Sequence, residues 1–197
     1  MNRIVIIGSP GAGKTTLAEE LGLTLKIKVF HLDRLFWWRG WRRKNRDERI
    51  DILQDIVREK QWIIEGTYIS SSEPRLSAAD TIIFLDMPAQ LCLRRIIKRH
   101  HKHQKQFRHD LPLECADKLS LQRIIKVLTF PIGDRKTLES LLRNNYEGKR
   151  IIRLHSVKEV NAFLAQQKRD VQAQSTGSNI VPATKGRRSM APVSNPV

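Results

Sequence analysis

The sequence predicts an α/β fold in which a parallel sheet is covered by helices on both faces. Three observations point there. Short, continuously apolar runs alternate with helix-like segments along the chain, and such runs belong to strands buried on both sides. A glycine-rich turn joins the first run to a helix pattern. The 197 residues suffice for one domain with a sizeable core.

The elements follow in order. Ile4–Ile7 reads as a buried strand, and Lys14–Leu25 as the helix after the glycine turn. Lys28–Leu32 is a second strand. Asn45–Glu59 is a helix, with Asn45 at the N-cap and Glu48 three residues on, a capping box. Trp62–Ile64 and Thr81–Leu85 are two more apolar strands. Pro88 opens a helix that runs through Arg99. Two helical stretches follow, near Lys118–Phe130 and Arg135–Asn144. Arg150–Leu154 is the last strand, and Ser156-Val157-Lys158-Glu159 is a second capping box opening the final helix. The sheet is therefore five-stranded, and no internal repeat is visible.

After Lys168 the composition shifts to Gln, Ser, Thr, Gly, Asn and Pro, which cannot bury enough apolar surface to offset the entropy of ordering. The expected organisation is a folded domain over residues 1–167 and a flexible basic tail over 168–197. Lys185, Arg187 and Arg188 could touch nucleic acid, but a solvated tail is the simpler reading.

Apolar residues make up 40% and charged residues 28%, a globular balance, and no apolar run approaches the roughly 18 residues of a membrane span. No secretory signal is expected. Two cysteines, Cys92 and Cys115, exclude a disulfide-dense scaffold and a four-cysteine zinc site, and a reducing cytoplasm is the simple reading. Lys and Arg number 36 against 20 Asp and Glu, a net +16. The tail carries +4 of this, so the basicity lies mostly in the body. Such a surface attracts polyanions: nucleotides, nucleic acid or anionic lipid.

Gly8-Ser9-Pro10-Gly11-Ala12-Gly13-Lys14-Thr15 fits G-x-x-x-x-G-K-[ST], and Thr16 continues it. Glycines let the backbone turn tightly and aim successive N–H groups at one phosphate chain. The following helix adds its positive end. Lys14 would reach the β- and γ-phosphates of ATP, and the Thr15 hydroxyl would bind Mg²⁺.

This loop resembles that of the adenylate-kinase-like P-loop kinases. The stretch from Gly8 to Arg99 is similar, more closely, to the bacterial "DNA topology modulation" proteins, an adenylate-kinase-related family. The resemblance rests on the loop, on His31-Leu32-Asp33-Arg34-Leu35-Phe36-Trp37 with Gly40-Trp41, on Trp62-Ile63-Ile64-Glu65-Gly66-Thr67-Tyr68 with Arg75, and on Ala79–Asp86 with Arg94-Arg95. It implies a P-loop nucleoside triphosphatase fold, a doubly wound five-stranded parallel sheet with a basic helical lid.

Ligands of doubly wound sheets sit beyond the carboxyl ends of the strands. Asp33 falls just after the second strand, Glu65 ends the third and Asp86 ends the fourth. The resemblance implies that Asp33 contacts the phosphoryl acceptor and that Glu65 helps hold Mg²⁺, with Asp86 the weakest of the three. The sequence has Glu-Gly where the adenylate-kinase pattern has Asp-Gly, a longer reach that suits contact through water. The alternative for each is a carboxylate that caps a helix or faces solvent.

Trp37, Trp38 and Trp41 sit among Arg34, Arg39, Arg42, Arg43 and Lys44. Two readings stand: indoles packing a small helix onto the sheet, or indoles stacking on a base while the arginines take phosphate. From Arg94 to His109 there are seven Lys or Arg, four His and no carboxylate. This is the lid candidate, about residues 99–123. Arg95 and Arg99 lie one turn apart on one helix face. By the resemblance, one of them clamps the transferring phosphoryl group. His100, His101 and His103 with Cys115 make a poor zinc cage.

These features lead to an ATP-dependent phosphotransferase acting on a small acceptor, plausibly a nucleoside or nucleotide, with adenine near His155–Val157 by resemblance. A different class stays open: a nucleotide-dependent regulator that binds nucleic acid.

Overall fold

The computed structural model describes residues 1–38, 40, 42–102, 120–146 and 148–177. The elements are β1 (Arg3–Gly8), α1 (Lys14–Leu25), β2 (Val29–His31), α2 (Leu32–Leu35), α3 (Arg46–Val57), β3 (Trp62–Glu65), a 3₁₀ turn (Ile69–Ser71), α4 (Glu73–Ala78), β4 (Thr81–Leu85), α5 (Ala89–Lys102), α6 (Leu121–Thr129), α7 (Asp134–Asn145), β5 (Arg150–Leu154) and α8 (Val157–Gly177). The five strands form one sheet in the order β2-β3-β1-β4-β5, and every pair is parallel. The expected fold class holds.

The alternation of side chains along each strand builds two cores. Val5, Ile7, Trp62, Ile64, Ile82 and Phe84 belong to one, with Leu32, Phe36, Leu53, Leu76 and Leu138. Ile4, Ile6, Ile63, Ile83 and Leu85 belong to the other, with Leu17, Leu21, Cys92, Ile96 and Val127. A strand buried on both faces has no polar positions to alternate, which is why β1 reads as an uninterrupted apolar run. Each fully buried large apolar side chain contributes about 1.5–3 kcal/mol. β1 lies at the centre of the sheet, so the loop that follows it leaves the most constrained strand.

The Asn45 capping box forms in both directions: Glu48 N–H donates to Asn45 Oδ1 at 2.8 Å, and Asn45 N–H donates to Glu48 Oε2 at 2.7 Å. The Ser156 box forms with a shift: the Glu159 carboxylate takes the N–H of His155 rather than that of Ser156. Three short elements, α2, the 3₁₀ turn and α4, were not expected from the sequence. None is long enough to show a helical period.

The expected boundary between residues 167 and 168 falls inside a helix. α8 runs past residue 167 to Gly177, and Lys168 Nζ lies 3.3 Å from Glu20 Oε2 of α1. Gln, Arg, Asp and Ala sustain a helix that has begun, although they bury little. Residues 178–197, with Lys185, Arg187 and Arg188, lie outside the described residues. So does most of the lid candidate. Of residues 99–123, those at 99–102 close α5 and those at 120–123 open α6, where the Ser120 hydroxyl accepts from Arg123 N–H. No helix among the described residues is long and apolar enough to cross a membrane.

Candidate active site

β1 ends at Gly8, and the chain must then reverse into α1 at Lys14. Gly11 and Gly13 make this possible, with φ of +80° and +102°. At Gly11 a Cβ would stand 2.5 Å from the carbonyl oxygen of Cys92 in α5, and at Gly13 it would stand 3.3 Å from Arg95 Nη1. The loop is pressed against α5, and only glycine fits both the turn and the approach. Lys14 folds back over it, donating to the carbonyls of Gly8 (3.1 Å) and Ser9 (3.0 Å). Burial pushes the ammonium below its ordinary pKa, against the pull of the Glu65 and Asp33 charges. Gly8 and the residues from Pro10 to Thr16 line a cleft of about 1510 Å³, whereas Ser9 is buried beneath it.

Glu65, at the end of β3, is only 4% exposed. Its Oε1 accepts from the Thr15 hydroxyl at 3.3 Å and lies 3.1 Å from His31 Nδ1. The two residues expected to serve a metal therefore meet across the cleft floor. Among the described residues no group of three His, Cys, Asp or Glu side chains could hold a metal ion. His103 and Cys115 lie outside them.

Asp33 sits on α2 and lines the same cleft. Tyr68 Oη donates to its Oδ1 at 2.5 Å, and Trp37 Nε1 donates to Tyr68 Oη at 2.8 Å. Burial, then the Asp33 charge, push the Tyr68 phenol well above its ordinary pKa, so it remains a donor at physiological pH. The Tyr68 ring meets Phe36 edge-on at 4.9 Å, and the Arg43 guanidinium stands 5.5 Å from its centroid. Trp37 is thus both packed against the core and part of the cleft wall. Trp38 is 45% exposed under the Lys44 ammonium, and Trp41 and Arg39 lie outside the described residues.

Arg95 and Arg99 both line the cleft, and Arg95 Nη1 donates to the Ala12 carbonyl at 2.9 Å. Asp86 does not join them. Its carboxylate takes Arg135 Nη2 of α7 at 2.8 Å and His155 Nδ1 at 3.4 Å. It ties α7 to the sheet.

Three residues without a role in the sequence reading connect these parts. The Thr67 hydroxyl donates to the Gly8 carbonyl and accepts the Gly8 N–H (3.1 Å), joining the segment after β3 to the phosphate loop. Tyr68 comes next. Arg75, on α4 and fully buried, donates to the carbonyls of Gly66, Thr67 and Ser71. Burial lowers its pKa to about 9, which still leaves it charged at neutral pH. The sequence signal was Thr67-Tyr68 directly after a Glu-Gly at a strand end. Val157, Val160 and Asn161 of α8 also line the cleft, and His155 does not.

No protein-family model matches the chain, and no curated protein is similar to it in sequence. Among solved structures it is similar to shikimate kinase from Bacteroides thetaiotaomicron, with a TM-score of 0.49 and 18% identity over 87% of this chain and 98% of that one. It is also similar to shikimate kinase from Acinetobacter baumannii in complex with shikimate (0.49, 16% identity, 91% and 96%) and to a gluconokinase from Sinorhizobium meliloti 1021 (0.48, 15% identity, 90% and 98%).

Proposed function

We propose that the protein is an ATP-dependent kinase that transfers the terminal phosphoryl group to a hydroxyl of a small acceptor. One observation carries this: the phosphate loop and Asp33 open into a single cleft of about 1510 Å³. A pocket for one small ligand is about 300–1,000 Å³, so this cleft has room for two reactants end to end.

The roles divide along it. The amides of Gly11, Gly13, Lys14, Thr15 and Thr16 offer the donors that take the phosphates, while Gly8, Ser9, Pro10 and Ala12 shape the loop, the Gly8 N–H bonded to Thr67 and the Ala12 N–H to the Ser9 carbonyl. The Lys14 ammonium binds the β- and γ-phosphates, and Val157, Val160 and Asn161 face the nucleoside end. Arg95 and Arg99 stabilise charge on the transferred group. Asp33 accepts a hydrogen bond from the acceptor hydroxyl and orients it for in-line attack. Such chemistry calls for Mg²⁺. Thr15 and Glu65 bring a hydroxyl and a carboxylate within 3.3 Å of each other, hard oxygen donors that fit this cation. Bound there, the ion would neutralise charge on the β- and γ-phosphates. The acceptor class that suits Trp37, Arg43 and Tyr68 at the Asp33 end is a nucleoside or nucleotide.

The test is a screen of nucleosides, nucleotides and small hydroxyl metabolites with Mg·ATP, reading the phosphorylated product by mass spectrometry. Asp33→Asn should keep Mg·ATP affinity and cut transfer about 10²–10⁴-fold. Wild-type transfer by that variant would remove Asp33 from the mechanism. If no acceptor is phosphorylated, and ATP instead modulates a salt-dependent affinity for DNA, the nucleic-acid regulator replaces the kinase.

A further inference from the structure

The geometry points to Thr67 and Tyr68 as positioning residues that make the donor loop and the acceptor carboxylate one mechanical unit. This deepens the kinase reading and rests on it for the role of Asp33, but the Thr67 half concerns nucleotide binding alone.

Gly8 is the last residue of β1 and the first of the phosphate loop. Its N–H and carbonyl both bond the Thr67 hydroxyl, a side chain from a different strand's end. The same carbonyl receives the Lys14 ammonium, so Thr67 and Lys14 converge on one backbone unit. One residue later, Tyr68 Oη holds Asp33 by a 2.5 Å bond, and Trp37 Nε1 fixes the phenol oxygen from the other side. With its only proton given to Asp33 and a lone pair given to the indole, the phenol has one rotor position, and the carboxylate follows it. The strap from Gly66 to Tyr68 is held from behind by Arg75, which bonds the carbonyls of Gly66 and Thr67 and does not line the cleft. A short segment thus reaches the phosphate loop with one side chain and the acceptor carboxylate with the next. Displacing the loop displaces Asp33.

The experiment measures Mg·ATP affinity by calorimetry on the full chain, with the urea midpoint as a check on folding. Thr67→Val keeps the shape and removes the hydroxyl. The Gly8 N–H then lacks its partner, and affinity should fall about five- to thirty-fold. Thr67→Ser keeps the hydroxyl and should stay within about twofold of the wild type. Arg75→Lys keeps the charge but loses the fork that spans several carbonyls. It should weaken Mg·ATP in the same direction without touching the nucleotide. Tyr68→Phe should leave Mg·ATP affinity unchanged and, on any acceptor the screen yields, lower kcat with KM for ATP unaltered. Thr67→Val with wild-type affinity, or Thr67→Ser as weak as Thr67→Val, overturns the link to the loop. Tyr68→Phe with wild-type kcat overturns the link to Asp33. If the Thr67 pattern appears but no acceptor is found, the link from Thr67 to the loop stands, and the kinase reading falls together with the role given to Tyr68.

Discussion

Replacing Gly11 by alanine tests the claim that the phosphate loop is shaped by its contact with α5. The new Cβ would lie 2.5 Å from the Cys92 carbonyl oxygen and 3.0 Å from Ile96 Cγ1. The nearer atom is helix backbone, which no rotamer change can move. Alanine must also hold φ at +80°. That conformation costs an L-residue about 1–2 kcal/mol, and overpacking a tight contact costs about 1–3. Together the perturbation is about 2–5 kcal/mol. If the domain takes it up, the melting temperature falls by about 4–20 °C, since a chain of this size loses about 2–4 °C per kcal/mol. If the loop takes it up, Mg·ATP affinity falls by roughly thirty-fold or more. Differential scanning fluorimetry and calorimetry read the two channels on one sample. Gly40→Ala separates strain from clash: its φ is +72°, yet no atom of the described residues is found within 4 Å of the new Cβ. It should show only the smaller, conformational part. A Gly11→Ala variant with both the wild-type melting temperature and the wild-type affinity would refute the reasoning.

Two further outcomes are expected. Lys14→Ala should lower Mg·ATP affinity by about ten- to a hundred-fold, the worth of one charge-assisted contact, with an unchanged urea midpoint; calorimetry with wild-type affinity would show that the ammonium does not meet phosphate. Asp80 should make the fold acid-sensitive. Burial alone would raise its pKa, but the Thr81 hydroxyl and the N–H groups of Arg3 and Asn2 outweigh that and hold it below the ordinary 3.8. A depressed carboxylate stabilises the fold above its unfolded value and loses that contribution as pH falls through the folded one. Urea midpoints should therefore drop below about pH 4, and Asp80→Asn should flatten that dependence. An equal drop in the variant would assign it to other carboxylates.

How much of this was legible depended on the kind of signal. β1, β3 and β4 are buried on both faces, so their apolar runs announced both the strands and the parallel sheet. The phosphate loop was legible because its spacing is set by one ligand geometry. Asn45 and Glu48 announced a helix start because both bonds lie within four residues. Asp33 and Glu65 were legible as strand-end carboxylates, but their partners were not. The bonds from Tyr68 to Asp33 and from Thr67 to Gly8 join residues 35 and 59 positions apart, and no local pattern encodes them. Asp86 looked like its two counterparts, and only α7, arriving with Arg135, shows that it serves packing. The reach of α8 to Gly177 was not legible because composition reports burial, whereas a helix already capped at Ser156 can propagate through polar residues.

The two margins of the sheet bear on self-association. An open parallel sheet leaves one unpaired row of backbone groups at each side, and such rows recruit strands from other molecules. Here β2 offers only Val29–His31 before the chain turns into α2. At the other side β5 is longer, and Ile151 is 39% exposed. Arg150 precedes that isoleucine and Arg153 follows two residues on; both are exposed, and Arg153 also pairs with Glu139 at 3.1 Å. A second β5 approaching in register would bring like charges together, within a chain already at net +16. The margin with the greatest tendency to template aggregation therefore carries its own repulsion. That guard weakens as salt rises, so concentrated samples should be the most prone to edge-to-edge association at high ionic strength.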